Sequence, residues 1–267
     1  METTVTSWPY AERPRRRRTN IVRAGRRLLL LLVACAPPAA ALDGRLGVRY
    51  WDYRLEGDTT DSERLDFQRD LAARTDDRVG FSLWLHPTTG WLPELGYRRS
   101  PLDVRGQQTR QSGLQIGDLT LLPQTREALV DADLDNHSLT ARYAIAMSPT
   151  LHLLPGLTLR QIDGDVRIRD GDDIAVDDER IDEWFPQLHL ALHWQPQPAL
   201  ALNLTGEWID ASGRSADGLE ASVRWLPAGG PLAIEAGWAL QRYRFSAGDD
   251  RVRARFAGPF AGLGVVW

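Results

Sequence analysis

Apolar and polar residues alternate with a period of two along residues 183–226. The even positions from Trp184 to Trp194 are apolar or Pro, whereas three of the five odd positions between them are polar. The same alternation resumes at residues 200–208 and again at residues 219–225. Because successive side chains of a strand point to opposite faces, this pattern is typical of β-strands with one apolar face. It predicts three antiparallel strands joined by tight connections.

Alternation over the rest of the body predicts about ten strands in all, with eight as the alternative. Most of them reach the roughly 9–11 residues that a tilted strand needs to cross a bilayer. The predicted strands are residues 45–55, 79–86, 91–99, 136–147, 151–168, 184–194, 200–208, 219–225, 232–245 and 252–267.

The connections between these strands alternate in length. Four are short and rich in Pro and Gly: residues 87–90, 148–150, 195–198 and 227–230. The other predicted connections are mostly longer and several are acidic: residues 56–78, 100–135, 169–182, 211–218 and 246–251. Short turns at one end and long loops at the other are typical of an outer-membrane barrel, whose apolar face contacts lipid. A soluble lipocalin-like barrel, which buries its apolar face, is the alternative.

Aromatic residues lie near both ends of the predicted strands. Amphipathic rings favour the headgroup zone of a membrane, so these residues predict two interfacial girdles. Trp91, Trp194, Trp225 and Trp267 lie at the short-turn ends, and Tyr97, Trp184 and Trp208 lie towards the long-loop ends. We therefore predict an all-β fold, an antiparallel up-and-down transmembrane β-barrel.

Residues 1–41 have the features of an export signal, and residues 42–267 form the predicted barrel domain. Basic residues precede an apolar core at residues 28–34, and three Ala residues at 39–41 provide a cleavage site. Initiation near Val22, a basic nucleic-acid arm in residues 1–20 and lipidation at Cys35, the only cysteine, remain open.

Charge and hydropathy limit the function of the mature chain. Removal of residues 1–41 takes away eight Arg and two Glu, and would leave a net charge of −10. This charge disfavours nucleic acid as a partner. Beyond residue 41 no run of 18 apolar residues occurs, so no transmembrane helix is predicted.

Short motifs follow one another along the body. They are residues 46–51 (LGVRYW), His86-Pro87, Leu92-Pro93, residues 181–183 (IDE) and the terminal residues 258–264 (GPFAGLG). With these motifs, residues 44–267 resemble an uncharacterised family of Gram-negative outer-membrane β-barrel proteins, small barrels with glycine-rich terminal strands. The resemblance implies the fold and a location in the cell outer membrane, but no established activity.

Charged residues of both signs are predicted on the polar, inward face. Barrels of eight strands leave room only for side chains and open channels need about sixteen, so we expect these residues to fill a narrow lumen with a charge network. They are Arg49, Glu94, Arg98, Arg142, Arg160, Glu207, Glu220, Arg224 and Glu235.

Other polar residues suggest little chemistry. His189 and His193 share a face but lie about 13 Å apart at ~3.3 Å per residue, too far to bind one metal ion. His137, near Asp133 and Asp135, is the only candidate for a hydrolytic site, and no nucleophile accompanies it.

Two predicted loops have possible local roles. Seven Asp residues crowd the loop after the fifth strand, where they form either a solvated loop or a Ca²⁺ site without EF-hand spacing. A short helix that includes Leu65, Phe67 and Leu71 could cap the mouth. The acidic residues are Asp163, Asp165, Asp170, Asp172, Asp173, Asp177 and Asp178.

The sequence thus predicts an integral outer-membrane protein with a structural or surface-interaction role and a mostly plugged lumen. A narrow, porin-like channel for small solutes is the alternative, and an outer-membrane enzyme comes third; we expect no enzymatic activity, cofactor or metal. The expected partners are outer-membrane lipid and, through the C-terminal strand, the barrel-assembly machinery. We expect a monomer.

Overall fold

The described residues are almost entirely β-strand. The computed structural model describes residues 42–60, 64–66, 74–76, 79–88, 91–108, 114–116, 119–121, 128–170, 175–211, 214–227, 230–247 and 250–267. Within these ranges the predicted all-β fold is confirmed, and no helix long and apolar enough to cross a membrane occurs. The strands are β1 (Leu42–Trp51), β2 (Arg54–Thr60), β3 (Arg64–Asp66), β4 (Arg74–Asp76), β5 (Val79–Pro87), β6 (Glu94–Pro101), β7 (Asp103–Gln108), β8 (Leu114–Ile116), β9 (Leu119–Leu121), β10 (Ala128–Arg142), β11 (Ile145–Ser148), β12 (Leu151–Asp170), β13 (Ala175–Gln197), β14 (Leu200–Ala211), β15 (Arg214–Trp225), β16 (Leu232–Ala247) and β17 (Asp250–Val266).

Fifteen of these strands form one antiparallel sheet that closes into a barrel. β1 pairs with both β5 and β17, and β12 pairs with both β10 and β13, so the described sheet has no gap between its first and last barrel strands. Four barrel strands consist of two segments each: β1–β2, β4–β5, β6–β7 and β10–β11. β12 to β17 supply the other six. The predicted ten-stranded barrel is confirmed, and the eight-strand alternative is wrong.

The apolar face of the barrel points outward. On β13, the exposed fractions of Leu188, Leu190 and Leu192 are 52%, 39% and 37%. The intervening Gln187 and His189 are only 2% and 4% exposed. An exposed apolar band around a barrel with a polar interior requires lipid around it rather than water. The lipocalin-like alternative, which would bury these leucines, is therefore wrong.

The barrel strands continue beyond the apolar band at the end opposite the short turns. β12 and β13 pair from Leu151 and Trp194 as far as Arg169 and Ala175. The loop predicted over residues 169–182 is therefore shorter than expected. The loops predicted over residues 211–218 and 246–251 are also shorter, because Ala211 of β14 pairs with Arg214 of β15 and Ala247 of β16 pairs with Asp250 of β17. Outside the hydrocarbon, a strand needs no apolar face, so the alternating pattern ends before the strand does.

Two short breaks direct large side chains into the barrel. The first barrel strand, predicted as continuous over residues 45–55, is interrupted at Asp52 and Tyr53, between β1 and β2. The third barrel strand is interrupted at Leu102, between β6 and β7. Tyr53 and Leu102 are 1% and 0% exposed. The backbone N–H groups of Asp52 and Leu102 still donate to the carbonyls of Pro259 and Leu134, at 2.9 and 2.8 Å. The breaks therefore cost few backbone hydrogen bonds.

The barrel closes where the first strand meets the last. β1 pairs with β17 from Arg45 opposite Val266 to Trp51 opposite Phe260. Beyond this ladder, Gly44 and Trp267 exchange two backbone hydrogen bonds of 3.1 Å each. The Trp267 indole occupies the space that a side chain at position 44 would need, so any residue larger than Gly would require the indole to move.

Several predictions concern residues outside the described ranges. The signal sequence, the lipidation site at Cys35 and the boundary between residues 1–41 and 42–267 stay predictions. Leu65 lies in β3 rather than in a helix, whereas Phe67 and Leu71 are outside the described residues.

Candidate functional site

The inner wall of the barrel carries a set of ion-pairing side chains, which we call the charged layer. All nine charged residues predicted for the lumen lie on this wall, and Arg45, which was not predicted, joins them. The charged layer comprises Arg45, Arg49, Glu94, Arg98, Arg142, Arg160, Glu207, Glu220, Arg224 and Glu235.

Arg160 and Glu207 form the most buried ion pair of the charged layer. Their side chains are 4% and 12% exposed, and Arg160 Nη2 bonds to Glu207 Oε2. Arg160 also donates from Nε to Gln187 at 2.8 Å and from Nη1 to Tyr243 at 3.0 Å. Each nitrogen of this guanidinium group thus donates to a fixed acceptor, which links β12, β13, β14 and β16 across the lumen.

Glu207 has two further partners. The Thr158 hydroxyl donates to Glu207 Oε1 at 3.0 Å. His189 Nδ1 lies 3.1 Å from the same oxygen. His193 is bound separately, with Nδ1 2.7 Å from Asn203 Oδ1. The two His residues therefore have different hydrogen-bonding roles in the lumen.

Glu220 of β15 joins two Arg residues from β1 and β6 across the lumen. Arg49 donates to Glu220 Oε2 from Nη1 and Nη2, at 2.8 and 2.9 Å. Arg98 Nη1 donates to the same oxygen at 2.8 Å. The Arg49 guanidinium also lies 4.0 Å from the centroid of the Phe260 ring, a cation–π contact. One carboxylate thus serves two guanidinium groups.

A third cluster lies close to the short turns. Arg142 Nε donates to Glu94 Oε2 at 2.8 Å, and its guanidinium lies 4.0 Å from the Trp84 ring centroid. His86 Nδ1 is 3.2 Å from the other oxygen of Glu94. These contacts link β5, β6 and β10 at the end of the lumen.

Glu235 completes the charged layer next to the β1–β17 pairing. Its Oε1 accepts a 2.8 Å hydrogen bond from the Ser222 hydroxyl, and its Oε2 is 3.5 Å from Arg45 Nη1. Arg224 lies directly opposite Glu235 in the β15–β16 register. This carboxylate is therefore placed between two Arg residues.

Above the charged layer, a group of buried apolar side chains fills the barrel. We call it the aromatic layer: Trp51, Tyr53, Leu102, Ile162, Phe185, Tyr243, Phe256 and Phe260. Along β1 the inward residues begin with Arg45 near the short turns, continue through Arg49 and reach Trp51 and Tyr53. The aromatic layer thus lies on the long-strand side of the charged layer.

The rings of the aromatic layer contact one another closely. Tyr53 stacks at 4.8 Å from Trp51 and at 5.5 Å from Phe256, edge to face in the second case. Tyr243 lies 6.0 Å from both Phe185 and Phe256. The sequence analysis did not predict this layer, although Phe185, Phe256 and Phe260 occupy inward positions of the alternating strands and were the available signal.

The aromatic residues predicted for the two girdles lie on or next to the outer wall. Trp194, Trp225 and Trp267, near the short turns, and Trp184 and Trp208, near the other end, are all between 44% and 51% exposed. Trp91 precedes β6 in a turn and is 75% exposed. Tyr97 lies 5.6 Å from Phe81, centroid to centroid. The described barrel therefore has aromatic rings at both edges of its apolar band.

The predicted hydrolytic candidate, His137, faces outward rather than into the lumen. Its Nδ1 is 2.8 Å from the Tyr97 hydroxyl and its Nε2 is 3.6 Å from Asp163 Oδ1. Asp135 instead pairs with Arg99 at 2.6 Å. The expected grouping of His137 with its sequence neighbours Asp133 and Asp135 is thus replaced by a contact across strands.

The predicted acidic loop is largely strand. Asp163 and Asp165 belong to β12 and lie opposite Asp182 and Arg180 of β13. Asp172 and Asp173 are outside the described residues. Among the residues that the structure describes, no group of three or more His, Cys, Asp or Glu side chains is arranged to hold a metal ion.

Comparison with known proteins identifies the fold. No family model and no curated protein matches the chain. The solved outer membrane protease OmpT from Escherichia coli matches with a TM-score of 0.56 at 8% identity, over 86% of this chain and 98% of that chain. The translocator domain of autotransporter NalP from Neisseria meningitidis matches with a TM-score of 0.44 at 11% identity (92% and 95% covered). The attachment invasion locus protein Ail of Yersinia pestis matches with 0.36 at 11% (85% and 100%).

The chain is therefore an integral outer-membrane β-barrel protein. The likeness to OmpT establishes the barrel fold, and the outward apolar band between two aromatic edges explains why lipid must surround it. The predicted location in the cell outer membrane agrees with both observations.

Proposed function

We propose that this barrel is a non-conducting membrane scaffold that presents its extended strands for interaction at the outer surface. The observation that supports this proposal is the filling of the lumen by the charged and aromatic layers. A narrow barrel leaves interior room for little beyond side chains. Here the side chains of opposite walls meet directly, as Glu220 of β15 does with Arg49 and Arg98.

The proposal is tested by single-channel recording from the purified protein in a planar bilayer. We expect no steady conductance. The double variant Tyr53→Ala with Phe256→Ala removes two rings from the aromatic layer, and we expect it to produce small current steps. Steady current from the unmodified protein would refute the scaffold and favour the alternative, a narrow channel for small solutes.

An enzymatic role is the third candidate. The Tyr97, His137 and Asp163 contacts on the outer wall are the only observation in its favour. Hydrolysis of lipid or peptide substrates by the unmodified protein, lost in His137→Ala, would support it. We expect no such activity in either protein.

Outer-membrane lipid is the proposed partner of the outer wall. Four exposed Arg residues on β16 and β17 form what we call the outer arginine block: Arg242, Arg244, Arg253 and Arg255. In the register, Arg242 lies opposite Arg255 and Arg244 lies opposite Arg253. Like charges directly opposite one another destabilise a sheet, so an anionic partner would offset their repulsion.

The outer arginine block lies at the edge of the apolar band. Trp208 pairs with Asp217, and Asp217 pairs with Arg242, so the block begins in the row of a girdle tryptophan. Arg255 and Arg242 have carboxylate partners, Glu56 at 2.7 Å and Asp217 at 3.5 Å. Phosphate groups of outer-leaflet lipid are anions, and they lie in the headgroup zone that girdle tryptophans favour.

Lipid binding is tested with lipopolysaccharide and its dephosphorylated form, added to the protein in detergent micelles. We expect lipopolysaccharide to co-migrate with the unmodified protein, and Arg244→Glu with Arg253→Glu to reduce this. Arg180→Glu, an exposed substitution on β13, is the matched control and should bind normally. Equal binding of the dephosphorylated form would contradict the proposal.

The C-terminal strand is the proposed contact with the barrel-assembly machinery. β17 ends next to Trp267, and its outward residues Leu263 and Val265 are exposed. We expect Trp267→Ala to lower the amount of heat-shifted, folded barrel in cells. The same amount of folded barrel as in the parent would contradict this role.

A further inference from the structure

The charged layer has more positive than negative groups. Its ten side chains are six Arg and four Glu. Asp43, on β1 at the short-turn rim, is exposed and is therefore screened by water. Buried charge is costly unless it is paired. The charged layer therefore has two more Arg residues than carboxylates.

Buried Arg nitrogen atoms without hydrogen-bond partners show where this excess is located. Among the described residues three such atoms occur, Arg45 Nη1, Arg98 Nε and Arg224 Nε, and all belong to the charged layer. Arg45 Nη1 is 3.5 Å from Glu235, in ion-pair range but without a hydrogen bond. An orphaned donor in a folded protein calls for water or an ion.

Two of these three Arg residues line the same cavity. Arg45, Arg49 and Arg98 line it together with Glu235 and Phe260, and the cavity is small and partly open to solvent. Arg224 lies opposite Glu235 on the adjoining strand pair. Several guanidinium groups therefore converge on one space.

The carboxylates of Glu220 and Glu235 in this space already accept other hydrogen bonds. Glu220 Oε2 accepts from both Arg49 and Arg98. Glu235 Oε1 accepts from Ser222. Neither carboxylate forms a hydrogen bond with the three orphaned nitrogens, although Glu235 lies in ion-pair range of Arg45.

We propose that the short-turn half of the lumen binds a small inorganic oxyanion of the phosphate or sulfate class between Arg45 and Arg98, in the cavity that both residues line. Guanidinium groups donate in a planar fork that matches the oxygen spacing of such anions. The anion enters from the short-turn end, where Arg45 lies and where the Glu235 side chain is 25% exposed. On the other side, the aromatic layer covers the site.

Isothermal titration of the full chain in detergent micelles with inorganic phosphate tests the proposal. The buffer contains no phosphate or sulfate, and sodium chloride at equal ionic strength is titrated in parallel. We expect saturable binding of one phosphate per chain, similar binding of sulfate and none of chloride. Loss of a charge-assisted hydrogen bond weakens binding by about tenfold or more, so we expect Arg45→Gln to raise Kd by at least that factor.

Arg214→Gln is the matched control, because Arg214 is exposed and pairs with Glu183 outside the charged layer. It should bind phosphate normally. If Arg45→Gln fails to show a heat-shifted band, Arg98→Gln, at the other Arg that lines the cavity, replaces it with the same expectation.

The proposal is overturned if the folded parent shows no saturable phosphate binding, in which case water alone occupies the cavity. It is also overturned if chloride competes equally, or if Arg45→Gln and Arg214→Gln bind alike. The titration involves no current across a membrane, so its outcome is independent of whether the barrel conducts.

Discussion

Removal of Arg160 tests how much the charged layer contributes to stability. Arg160→Met deletes one ion pair and two hydrogen bonds, to Gln187 at 2.8 Å and Tyr243 at 3.0 Å. It leaves Glu207, 12% exposed, with only Thr158 and His189 as partners. Removal of one partner of a buried pair costs about 3–5 kcal/mol, because the remaining charge stays buried without compensation. We expect the free energy of unfolding to fall by this amount.

The second half of the experiment separates charge burial from packing. In Arg160→Met with Glu207→Leu both charges are absent, and we expect at least about 2 kcal/mol of the loss to be recovered, since apolar replacement of a whole buried pair is often neutral. Arg255→Met removes an exposed pair with Glu56, whose side chains are 47% and 46% exposed, and should cost no more than about 1 kcal/mol.

The assay is urea unfolding in detergent micelles, followed by tryptophan fluorescence and checked by the heat-dependent shift on a gel. An Arg160→Met protein as stable as the parent, or a double variant no more stable than the single one, would show that the reasoning about the charged layer is mistaken.

Three further predictions concern the outer wall and the breaks. Leu190→Arg places a charge on the lipid-facing wall and should destabilise the barrel in bilayers by about 2–4 kcal/mol, measured by urea unfolding in lipid vesicles; an unchanged midpoint would mean that position 190 does not face hydrocarbon. Arg253→Glu removes the like-charge pair with Arg244 and should stabilise the lipid-free protein by about 0.2–1 kcal/mol, and a loss of stability in urea unfolding in detergent micelles would contradict the repulsion argument. Gly258→Ala would push a methyl group into the backbone at Asp52, so we expect a loss of about 1–3 kcal/mol; a melting temperature equal to that of the parent would show that the break at Asp52 can move.

The sequence predicts the barrel well wherever the membrane imposes a period of two. Leu188, Leu190 and Leu192 alternate with polar residues because one face contacts lipid and the other faces the lumen, and this constraint determines strand type and orientation. The lumen charges follow from the same rule. Which Arg pairs with which Glu is not predictable, because partners such as Arg49 and Glu220 lie 171 positions apart and meet only when the barrel closes.

The parts that sequence reasoning missed lie where this constraint is absent. Beyond the apolar band, exposed residues such as Arg180 face water, so strand and loop have the same polar composition. The break at Asp52 and Tyr53 is also hidden, because Tyr53 follows Trp51 with the spacing of an ordinary strand. Its effect, an aromatic layer within the barrel, depends on contacts with Phe256 and Phe185 across the lumen.

The pairing of β1 with β17 has a consequence for the order of assembly. Its partners, such as Arg45 and Val266, are separated by nearly the whole of residues 42–267, whereas the hairpins between β12 and β17 form locally. Loop-closure entropy makes such distant contacts late and slow. Before closure, β1 and β17 are free edges able to pair with other chains. Once Trp267 packs against Gly44 and β1 pairs with β17, neither strand has a free edge. We therefore expect this closure to end the period in which the unclosed barrel can pair with other chains.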